Sequence, residues 1–208
     1  MLIKAIGFDY LGVTALLGDR DIFADAGALL SVEREGVKAA YYSYAPQFQT
    51  NQLTQEQLWA KIAAELGVSE MLPQLLDLVS RGLPVIDSAV IKFIDGLRAA
   101  GYKVGLLSNM ATGTQWDLDL RAKGVDRHFD AVVLSGDIGF SKPHPQSFEI
   151  LSSRLGVETS ELVFIDDRES SLIGIEERGI TPIVYTGLEN LKLKLESIGV
   201  TWESAVKD

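Results

Sequence analysis

From residue 87 onward the sequence alternates between short apolar runs and longer amphipathic stretches, and this alternation constrains the fold more than any other feature. Continuous apolar runs are typical of strands that are buried on both faces of a sheet. Most of the amphipathic stretches are followed by a glycine, as at Gly101, Gly124, Gly156 and Gly179, and glycine commonly follows the last turn of a helix. Strands that alternate with helices pair in parallel, so the sequence predicts a parallel sheet with helices on both faces.

The same pattern gives approximate bounds for the core elements. The predicted strands are 2–8, 102–107, 130–134, 162–165 and 181–184, and the helices that alternate with them are 87–100, 112–123, 145–155, 169–178 and 188–198. We therefore predict an α/β fold with a three-layer, doubly wound, Rossmann-like core of about five parallel strands.

Residues 19–82 interrupt the alternation, because they show helical spacing and no clear strand. Within them, Thr54-Gln55-Glu56-Gln57 has the pattern of a capping box at the start of a helix. We predict that a small helical domain, residues 16–85, is inserted into a core domain formed by residues 1–15 and 86–208. The helices predicted in the insert include 25–35, 54–66 and 69–80.

Charge balance and cysteine content exclude several classes of function. The formal net charge is −10 and no basic run occurs, which argues against nucleic acids and anionic membranes as partners, because both favour clusters of Lys and Arg. A small phosphorylated substrate remains compatible with this charge, because a bound metal ion can supply positive charge locally. No apolar run is long enough to span a membrane and there is no cysteine, so we expect a cytoplasmic protein. The sequence carries no signal for an oligomeric state.

Polar residues follow several of the predicted strands, at the edge where open α/β sheets bind ligands. An aspartate can attack phosphorus, carboxylates bind Mg²⁺, and a lysine with a hydroxyl can hold phosphoryl oxygens while charge builds on them. These are the parts of a phosphoryl-transfer site. The segments that supply them are Asp9, Ser108-Asn109, Ser141-Lys142-Pro143 and Asp166-Asp167.

These segments resemble the four motifs of the haloacid dehalogenase (HAD) superfamily, and they occur in the family's order. The resemblance covers residues 1–15 and roughly 86–200, and it implies that 16–85 is a helical cap of the first type (subfamily I, C1 cap). The four motifs are Phe8-Asp9-Tyr10-Leu11-Gly12-Val13, Leu107-Ser108-Asn109, Ser141-Lys142-Pro143-His144-Pro145 and Phe164-Ile165-Asp166-Asp167.

The resemblance implies roles for four residues around a bound substrate. Asp9 would be the nucleophile, and Ser108 and Lys142 would hold the phosphoryl group, with Lys142 also steadying Asp9. We expect Asn109 to contact the substrate. The substrate would be a small phosphorylated metabolite.

The resemblance also implies a Mg²⁺ cofactor and a set of oxygen ligands for it. Asp9 and the backbone carbonyl of Leu11 would bind the ion from the first motif. From the fourth motif we expect Asp167 to bind directly and Asp166 to bind directly or through water. Ser171 lies where the family often has Asp or Asn in support of the metal ligands, and a serine would do this weakly.

Leu11 is the one departure from the pattern of the family's phosphatases. Most of them have a second aspartate at this position, which protonates the leaving group and then activates water. General acid–base help is typically worth about 10²–10⁴-fold, so we expect turnover to be slow or confined to good leaving groups. The residues that could substitute as acid or base are His144, Tyr41, Tyr42 and Tyr44.

Three functions are therefore open. The first is a Mg²⁺-dependent phosphatase that forms an aspartyl-phosphate on Asp9. The second, motivated by Leu11, is a catalytically degenerate member that binds a ligand or a partner. The third is a metal-free 2-haloacid dehalogenase, which needs no second aspartate, although the acidic pair Asp166-Asp167 favours a cation and therefore the first function.

Overall fold

The computed structural model describes residues 2–202 and has a central parallel sheet covered by helices on both faces, which confirms the predicted α/β fold. The strands are β1 (Ala5–Phe8), β2 (Ala15–Leu16), β3 (Val85–Ile86), β4 (Lys103–Ser108), β5 (Ala131–Leu134), β6 (Leu162–Asp166) and β7 (Thr181–Val184). The α-helices are α1 (Ile22–Leu30), α2 (Arg34–Gln49), α3 (Gln55–Glu65), α4 (Leu72–Ser80), α5 (Ser88–Ala99), α6 (Gln115–Ala122), α7 (Ser135–Ile138), α8 (Pro145–Leu155) and α9 (Leu188–Ser197). None of the helices within these residues combines the length and apolar character needed to cross a membrane.

The main sheet has five strands in the order β5-β4-β1-β6-β7, and every neighbouring pair is parallel. The first strand of the chain lies in the middle, so β1 pairs with β4 on one side and with β6 on the other. Phe8 of β1 is opposite Leu106 of β4 and Ile165 of β6. The carboxyl ends of these three strands therefore meet at one edge of the sheet.

Both faces of β1 are buried, which explains why its sequence is continuously apolar. Ile6 and Phe8 point to the face covered by α5, α6 and α9, and Ala5 points to the face covered by α8. Gly7 lies on this second face, where a Cβ atom would overlap Phe164. Fully burying an aliphatic or aromatic side chain contributes about 1.5–3 kcal/mol, so the two layers of helices stabilise the strand from both sides.

The helices α1–α4 pack around an apolar cluster of their own. The hydroxyl of Thr54 accepts from the N–H of Gln57 at 3.1 Å, and the side chain of Gln57 accepts from the N–H of Thr54 at 2.9 Å, so the predicted capping box is confirmed. The division into an inserted domain 16–85 and a core stays a prediction, and the core's predicted last residue, 208, lies outside the described residues. The buried members of the cluster are Ala26, Leu30, Val37, Ala40, Leu58, Trp59, Ile62 and Leu75.

A two-stranded antiparallel ribbon joins the beginning and the end of the inserted segment. Ala15 of β2 is opposite Ile86 of β3, and Leu16 is opposite Val85. These strands were not predicted from the sequence, because an element of two residues is too short to show a period. The ribbon brings the two connections between the inserted helices and the core next to each other.

Two helical predictions are wrong. The stretch 169–178 forms two 3₁₀ turns, Glu169–Ser171 and Glu176–Arg178, rather than one α-helix. Gly174 lies between them with φ at +77°, which is outside the helical region. The stretch 25–35 contains the end of one helix and the start of another. α1 ends at Leu30, the next residue Ser31 has φ at 55°, and α2 begins at Arg34.

Candidate active site

The ammonium group of Lys142 joins two carboxylates at the carboxyl edge of the sheet. Its Nζ atom is 2.8 Å from Oδ1 of Asp9 and 2.6 Å from Oδ2 of Asp166. The side chains of Lys142 and Asp166 are 1% and 0% exposed, and that of Asp9 is 11% exposed. Removing one member of such a buried set would leave a buried charge without its partner, so the three residues act as a unit.

Hydrogen bonds on both sides fix the backbone of Asp9. Its N–H donates to the carbonyl oxygen of Ile165 on β6 at 2.9 Å, which extends the pairing of β1 by one residue. The buried hydroxyl of Thr14 donates to the carbonyl oxygen of Asp9 at 2.7 Å. The carboxylate therefore projects from the edge of the sheet with its main chain held in place.

Asn109, just after β4, holds the loop that carries Lys142. Its Nδ2 donates to the carbonyl oxygen of Lys142 at 3.0 Å, and its Oδ1 accepts from the N–H of Lys142 at 2.7 Å. The pair of bonds fixes the main chain of Lys142 at both of its polar groups. The observed contacts make Asn109 a positioning residue for Lys142, and substrate contact by Asn109 stays a prediction.

Three carboxylates lie beside this single ammonium group. One oxygen from each of Asp9, Asp166 and Asp167 lies within 4.8 Å of the other two. Burial raises the pKa of Asp9 to about 6, against the lowering effect of Lys142 and with a contribution from Asp166. Burial and the charge of Asp166 also raise the pKa of Asp167. One ammonium group cannot balance three carboxylates, and hard oxygen donors are what Mg²⁺ prefers, so these residues fit a magnesium ion.

Gly12 allows the turn after β1 to pass close to Asp167. Its φ is +92°, in the region where residues with a Cβ atom are strained. A Cβ atom at this position would also overlap the carboxyl group of Asp167. Gly12 lies within the first predicted motif, but no sequence pattern indicated that it approaches the carboxyl group of Asp167 so closely.

A cavity of about 330 Å³ extends from the carboxylates to the inserted helices. Its volume is within the range of roughly 300–1,000 Å³ that is typical of small-molecule sites. Asp166 does not line it, because this residue is fully buried behind Lys142. The predicted site residues that line the cavity are Asp9, Leu11, Ser108, Asn109, Lys142, Asp167 and Ser171. The side formed by residues of the inserted segment is mostly apolar and consists of Leu17, Arg20, Ile22, Phe23, Tyr41, Tyr42, Phe48, Gln49, Gln55, Leu58, Trp59, Val79 and Gly82.

The four candidate substitutes for the missing acid–base group differ in whether they line the cavity. Tyr41 and Tyr42 line the cavity, and Tyr44 and His144 do not. The Nδ1 atom of His144 accepts from the N–H of Gln146 at 3.2 Å and caps the start of α8. His144 therefore has a structural contact that accounts for its position.

Arg168 connects the core to the inserted helices at the rim of the cavity. Its guanidinium carbon is 5.3 Å from the ring centre of Tyr42, a distance suited to a cation–π interaction. This contact of Arg168 was not predictable from the sequence, because contact between a residue after β6 and one on α2 depends on tertiary packing.

The motifs, the sheet order and the clustered side chains agree with a comparison against known protein families. Residues 3–177 match the family model described as haloacid dehalogenase-like hydrolase. This chain is a HAD-like hydrolase. The match includes the inserted helices and confirms the family resemblance predicted from the four motifs, whereas the subfamily with a C1 cap stays a prediction.

Curated relatives of this HAD-like hydrolase include phosphatases and an epoxide hydrolase. Bifunctional epoxide hydrolase 2 of Mus musculus is 23% identical over 95% of this chain and 39% of its own length. Glyceraldehyde 3-phosphate phosphatase of Methanothermobacter thermautotrophicus is 32% identical over 42% of this chain and 39% of its own length. Pyrophosphatase PpaX of Bacillus cereus is 29% identical over 43% of this chain and 41% of its own length. The matches thus span about two fifths of each of these relatives.

Solved structures of HAD family proteins share the fold. The HAD family enzyme BT-2542 of Bacteroides thetaiotaomicron superposes with a TM-score of 0.72 at 22% identity, covering 93% of this chain and 99% of that one. The same enzyme in complex with magnesium and inorganic phosphate gives a TM-score of 0.67 at 20% identity, covering 91% and 98%. The L-2-haloacid dehalogenase RSc1362 gives 0.61 at 17% identity, covering 88% and 86%. At these identities the likeness establishes a shared fold, and the site residues must carry the functional argument.

Proposed function

We propose that this HAD-like hydrolase is a Mg²⁺-dependent phosphoric monoester hydrolase, with Asp9 as its nucleophile. The observation that carries the proposal is the Lys142 ammonium group, which contacts Asp9 and Asp166 while Asp167 lies within the same cluster. Such a cluster of negative charge is suited to a cation. Once the cation is bound, the cluster can also accept a substrate that carries a further anionic group.

The acid cluster also argues against a metal-free dehalogenase. A 2-haloacid carries its own carboxylate, and three protein carboxylates balanced by one lysine would repel it. A phosphate monoester is equally anionic, but its oxygens can share a divalent cation with the protein carboxylates. The named phosphatases among the relatives support the same choice.

Among the acidic residues, Asp167 is the better candidate for a direct metal ligand. Both oxygens of Asp166 already have partners, because Oδ2 accepts from Lys142 and Oδ1 accepts from the N–H of Arg168 at 2.9 Å. Asp9, Asp167 and the carbonyl of Leu11 would hold the ion, with Asp166 acting through water. When bound, Mg²⁺ would neutralise charge on the phosphoryl oxygens.

The chain's own residues supply the remaining chemistry. The free carboxylate oxygen of Asp9 attacks phosphorus, and Lys142 keeps this carboxylate ionised and oriented. The hydroxyl of Ser108 and the ammonium group of Lys142 hold phosphoryl oxygens as charge builds on them. The bond to the leaving oxygen breaks, and water then attacks the aspartyl-phosphate to release inorganic phosphate and regenerate Asp9.

We further propose that the inserted segment, residues 16–85, acts as a cap over this chemistry. Its side chains form most of the apolar wall of the cavity, whereas the residues proposed to hold the phosphoryl group and the metal ion all belong to the core. A cap that closes over a site excludes water and selects the substrate. Substrate choice would therefore reside mainly in the inserted helices.

Hydrolysis of 4-nitrophenyl phosphate tests the proposed function. We expect turnover in Mg²⁺ that is abolished by a chelator and by Asp9→Asn. Asp19→Asn removes the same charge from an exposed position outside the cavity, so it should behave as wild type. Turnover that is independent of Mg²⁺, or that persists in Asp9→Asn, would contradict the proposal.

Leu11 favours a second candidate, a degenerate HAD-like protein that binds a phosphorylated ligand without turnover. Calorimetry with Mg²⁺ and inorganic phosphate distinguishes the two candidates. Binding of both, combined with no hydrolysis of 4-nitrophenyl phosphate by wild type or by Leu11→Asp, would favour the binding protein. Hydrolysis gained in Leu11→Asp would show that the missing acid–base group limits an otherwise intact phosphatase.

A further inference from the structure

The wall of the cavity opposite the carboxylates is built from aromatic rings. The ring centre of Tyr41 is 5.3 Å from that of Phe23, 5.5 Å from that of Tyr42 and 6.1 Å from that of Trp59. Trp116 lines the core side of the same space. Aromatic side chains present flat faces and edges that pack well against another ring at centroid distances of about 4.5–7 Å. The wall is therefore suited to a planar aromatic group.

The carboxylates that line the cavity are confined to the phosphoryl end. Among the described residues that line it, the acidic side chains are Asp9 and Asp167, and the inserted segment contributes neither an acid nor a histidine. Leu11 lines the cavity at the position where most phosphatases of the family have their second aspartate. Burial raises the pKa of Tyr41 to about 12, further from neutrality and hence less suited to donating a proton. Apart from Asp9 and Asp167, the described lining offers the leaving oxygen neither a carboxyl nor an imidazole group, so departure as an anion is favoured.

We propose that the site takes aryl phosphates, the phosphate monoesters of aromatic hydroxyl groups. This proposal rests on the phosphatase function proposed above and names its substrate class. Two independent features lead to it. The aromatic wall would hold the ring, and the lack of a further carboxyl group or an imidazole among the described lining residues favours a leaving group of low pKa. A phenolic hydroxyl has a pKa of about 10, far below that of an aliphatic alcohol, and leaves as the anion.

The reaction balances without a proton donor in the first step. An oxygen of Asp9 forms a bond to phosphorus, and the bond from phosphorus to the aryl oxygen breaks. The electron pair of that bond leaves with the oxygen, and the aryloxide then takes a proton from water in the solvent. In the second step water adds to phosphorus, the bond to Asp9 breaks, and one proton of that water passes to the released phosphate or to solvent.

Phenyl phosphate and cyclohexyl phosphate, similar in size, test the requirement for a leaving group of low pKa. We expect kcat/KM of the wild type in Mg²⁺ to favour phenyl phosphate by at least about 10²-fold. Leu11→Asp supplies the missing donor and should narrow this ratio by raising the rate with cyclohexyl phosphate. A wild type that hydrolyses both esters equally well would overturn the proposal.

Inhibition by benzylphosphonate and methylphosphonate tests the aromatic wall separately, because neither compound has a leaving oxygen. We expect wild type to bind benzylphosphonate at least about tenfold more tightly, the size of effect that one or two methylene-sized apolar contacts produce. Tyr42→Ala and the milder Trp59→Phe should reduce this preference. Leu118→Ala, at an exposed position outside the cavity, should retain it.

Acetyl phosphate separates failure of the substrate class from failure of the function, because its leaving group needs no proton and carries no ring. If acetyl phosphate is hydrolysed with Mg²⁺ but benzylphosphonate binds no better than methylphosphonate, the phosphatase function stands and the aryl class is overturned. If neither acetyl phosphate nor phenyl phosphate is hydrolysed, the proposed function fails and the aryl class fails with it.

Discussion

Gly12 and Gly18 both have positive φ values, +92° and +64°, but they differ in what surrounds them. A Cβ atom on Gly18 would meet nothing within 4 Å, whereas one on Gly12 would overlap the carboxyl group of Asp167. A residue with a Cβ atom would be strained by the backbone at either position, but it would overlap a site residue, Asp167, only at position 12. This contrast makes the two glycines a matched pair for separating stability from function.

Gly12→Ala should lower Mg²⁺ affinity and phosphatase activity by about 10–100-fold, the range seen when residues supporting a metal ligand are changed. The reason is displacement of the Asp167 carboxylate by the new methyl group. Gly18→Ala should cost roughly 1–2 kcal/mol of unfolding free energy and leave Mg²⁺ affinity unchanged. Calorimetric Mg²⁺ titration and urea unfolding of both variants test this, and equal Mg²⁺ affinities would contradict it.

Tyr10 is fully buried, and its hydroxyl has no hydrogen-bond partner among the described residues. Tyr10→Phe should therefore raise the unfolding free energy at pH 8 by about 1 kcal/mol, because it removes an unpaired polar group. Burial raises the pKa of Tyr10 to about 12, so the unfolded chain loses this proton near pH 10 while the folded chain keeps it.

The stability contributed by neutral Tyr10 is complete below pH 10 and is lost as the pH rises toward 12. The advantage of Tyr10→Phe should therefore grow between pH 8 and pH 11. Urea unfolding of wild type and variant at each pH measures the difference. An advantage that stays constant over this range would show that the hydroxyl does not titrate as an isolated buried group.

The site depends on loops that are anchored to one another at the edge of the sheet. The loop with Lys142 follows β5 and α7, yet its backbone is bonded to Asn109 at the end of β4. Asn51 makes a similar pair of bonds elsewhere, because its amide donates to the hydroxyl of Thr112 at 2.6 Å and accepts from the N–H of Thr112 at 3.0 Å. Two asparagines thus perform the same kind of anchoring, one beside the site and one between the inserted helices and the core.

Asn109→Ala should lower kcat about 10–100-fold, because the backbone of Lys142 loses both anchoring bonds and its ammonium group is no longer held against Asp9. Asn51→Ala removes an equivalent pair of bonds away from Lys142 and should leave kcat within about threefold, with any change appearing in KM. Steady-state kinetics with 4-nitrophenyl phosphate distinguish the two. A similar fall in kcat for both variants would mean that the loss of activity does not come from the anchoring of Lys142 in particular.

Elements with a clear period were predictable, and those determined by distant packing were not. The helix Pro145–Leu155 was predicted with its observed bounds, because proline and glycine mark its two ends. The stretch 169–178 showed apolar spacing but contains Gly174, and the ribbon β2–β3 is too short for any period. The aromatic wall was also missed, since Phe23 of α1 and Trp59 of α3 come together only because both pack against Tyr41 of α2.

The candidate site was predictable in its members but not in its contacts. Strand ends in a parallel sheet share one edge, so the motifs alone brought Asp9, Ser108 and Asp166 together. The pairing of Asn109 with the backbone of Lys142 could not be read from spacing, because it depends on how two loops approach each other.

Negative charge is a general feature of the chain, and three of its carboxylates cluster at the site. The formal net charge is −10, and the three clustered carboxylates add repulsion that the folded state must tolerate. A ligand that binds only the folded state stabilises it by RT ln(1 + [L]/Kd). A divalent cation should therefore act on the stability of the entire chain, as well as on catalysis.

Addition of Mg²⁺ at 100 times its Kd should stabilise the protein by about 2.7 kcal/mol and raise Tm by several degrees, since about 1 kcal/mol shifts Tm by roughly 2–4 °C at this size. Asp167→Asn should remove most of this shift. Asp19→Asn lowers the net negative charge equally and should keep it. Differential scanning calorimetry with Mg²⁺ and with a chelator tests this, and equal shifts in the two variants would locate the ion elsewhere.

The antiparallel pairing of β2 with β3 has a consequence for how such a protein can diversify. The ribbon holds the two ends of the inserted segment side by side, so the segment can be lengthened, shortened or exchanged without shifting the register of any strand in the five-stranded sheet. The entropy of closing a loop grows only slowly with its length, so such changes cost little. A lineage can therefore replace the residues of the inserted segment while it inherits the residues at the carboxyl edge of the sheet unchanged.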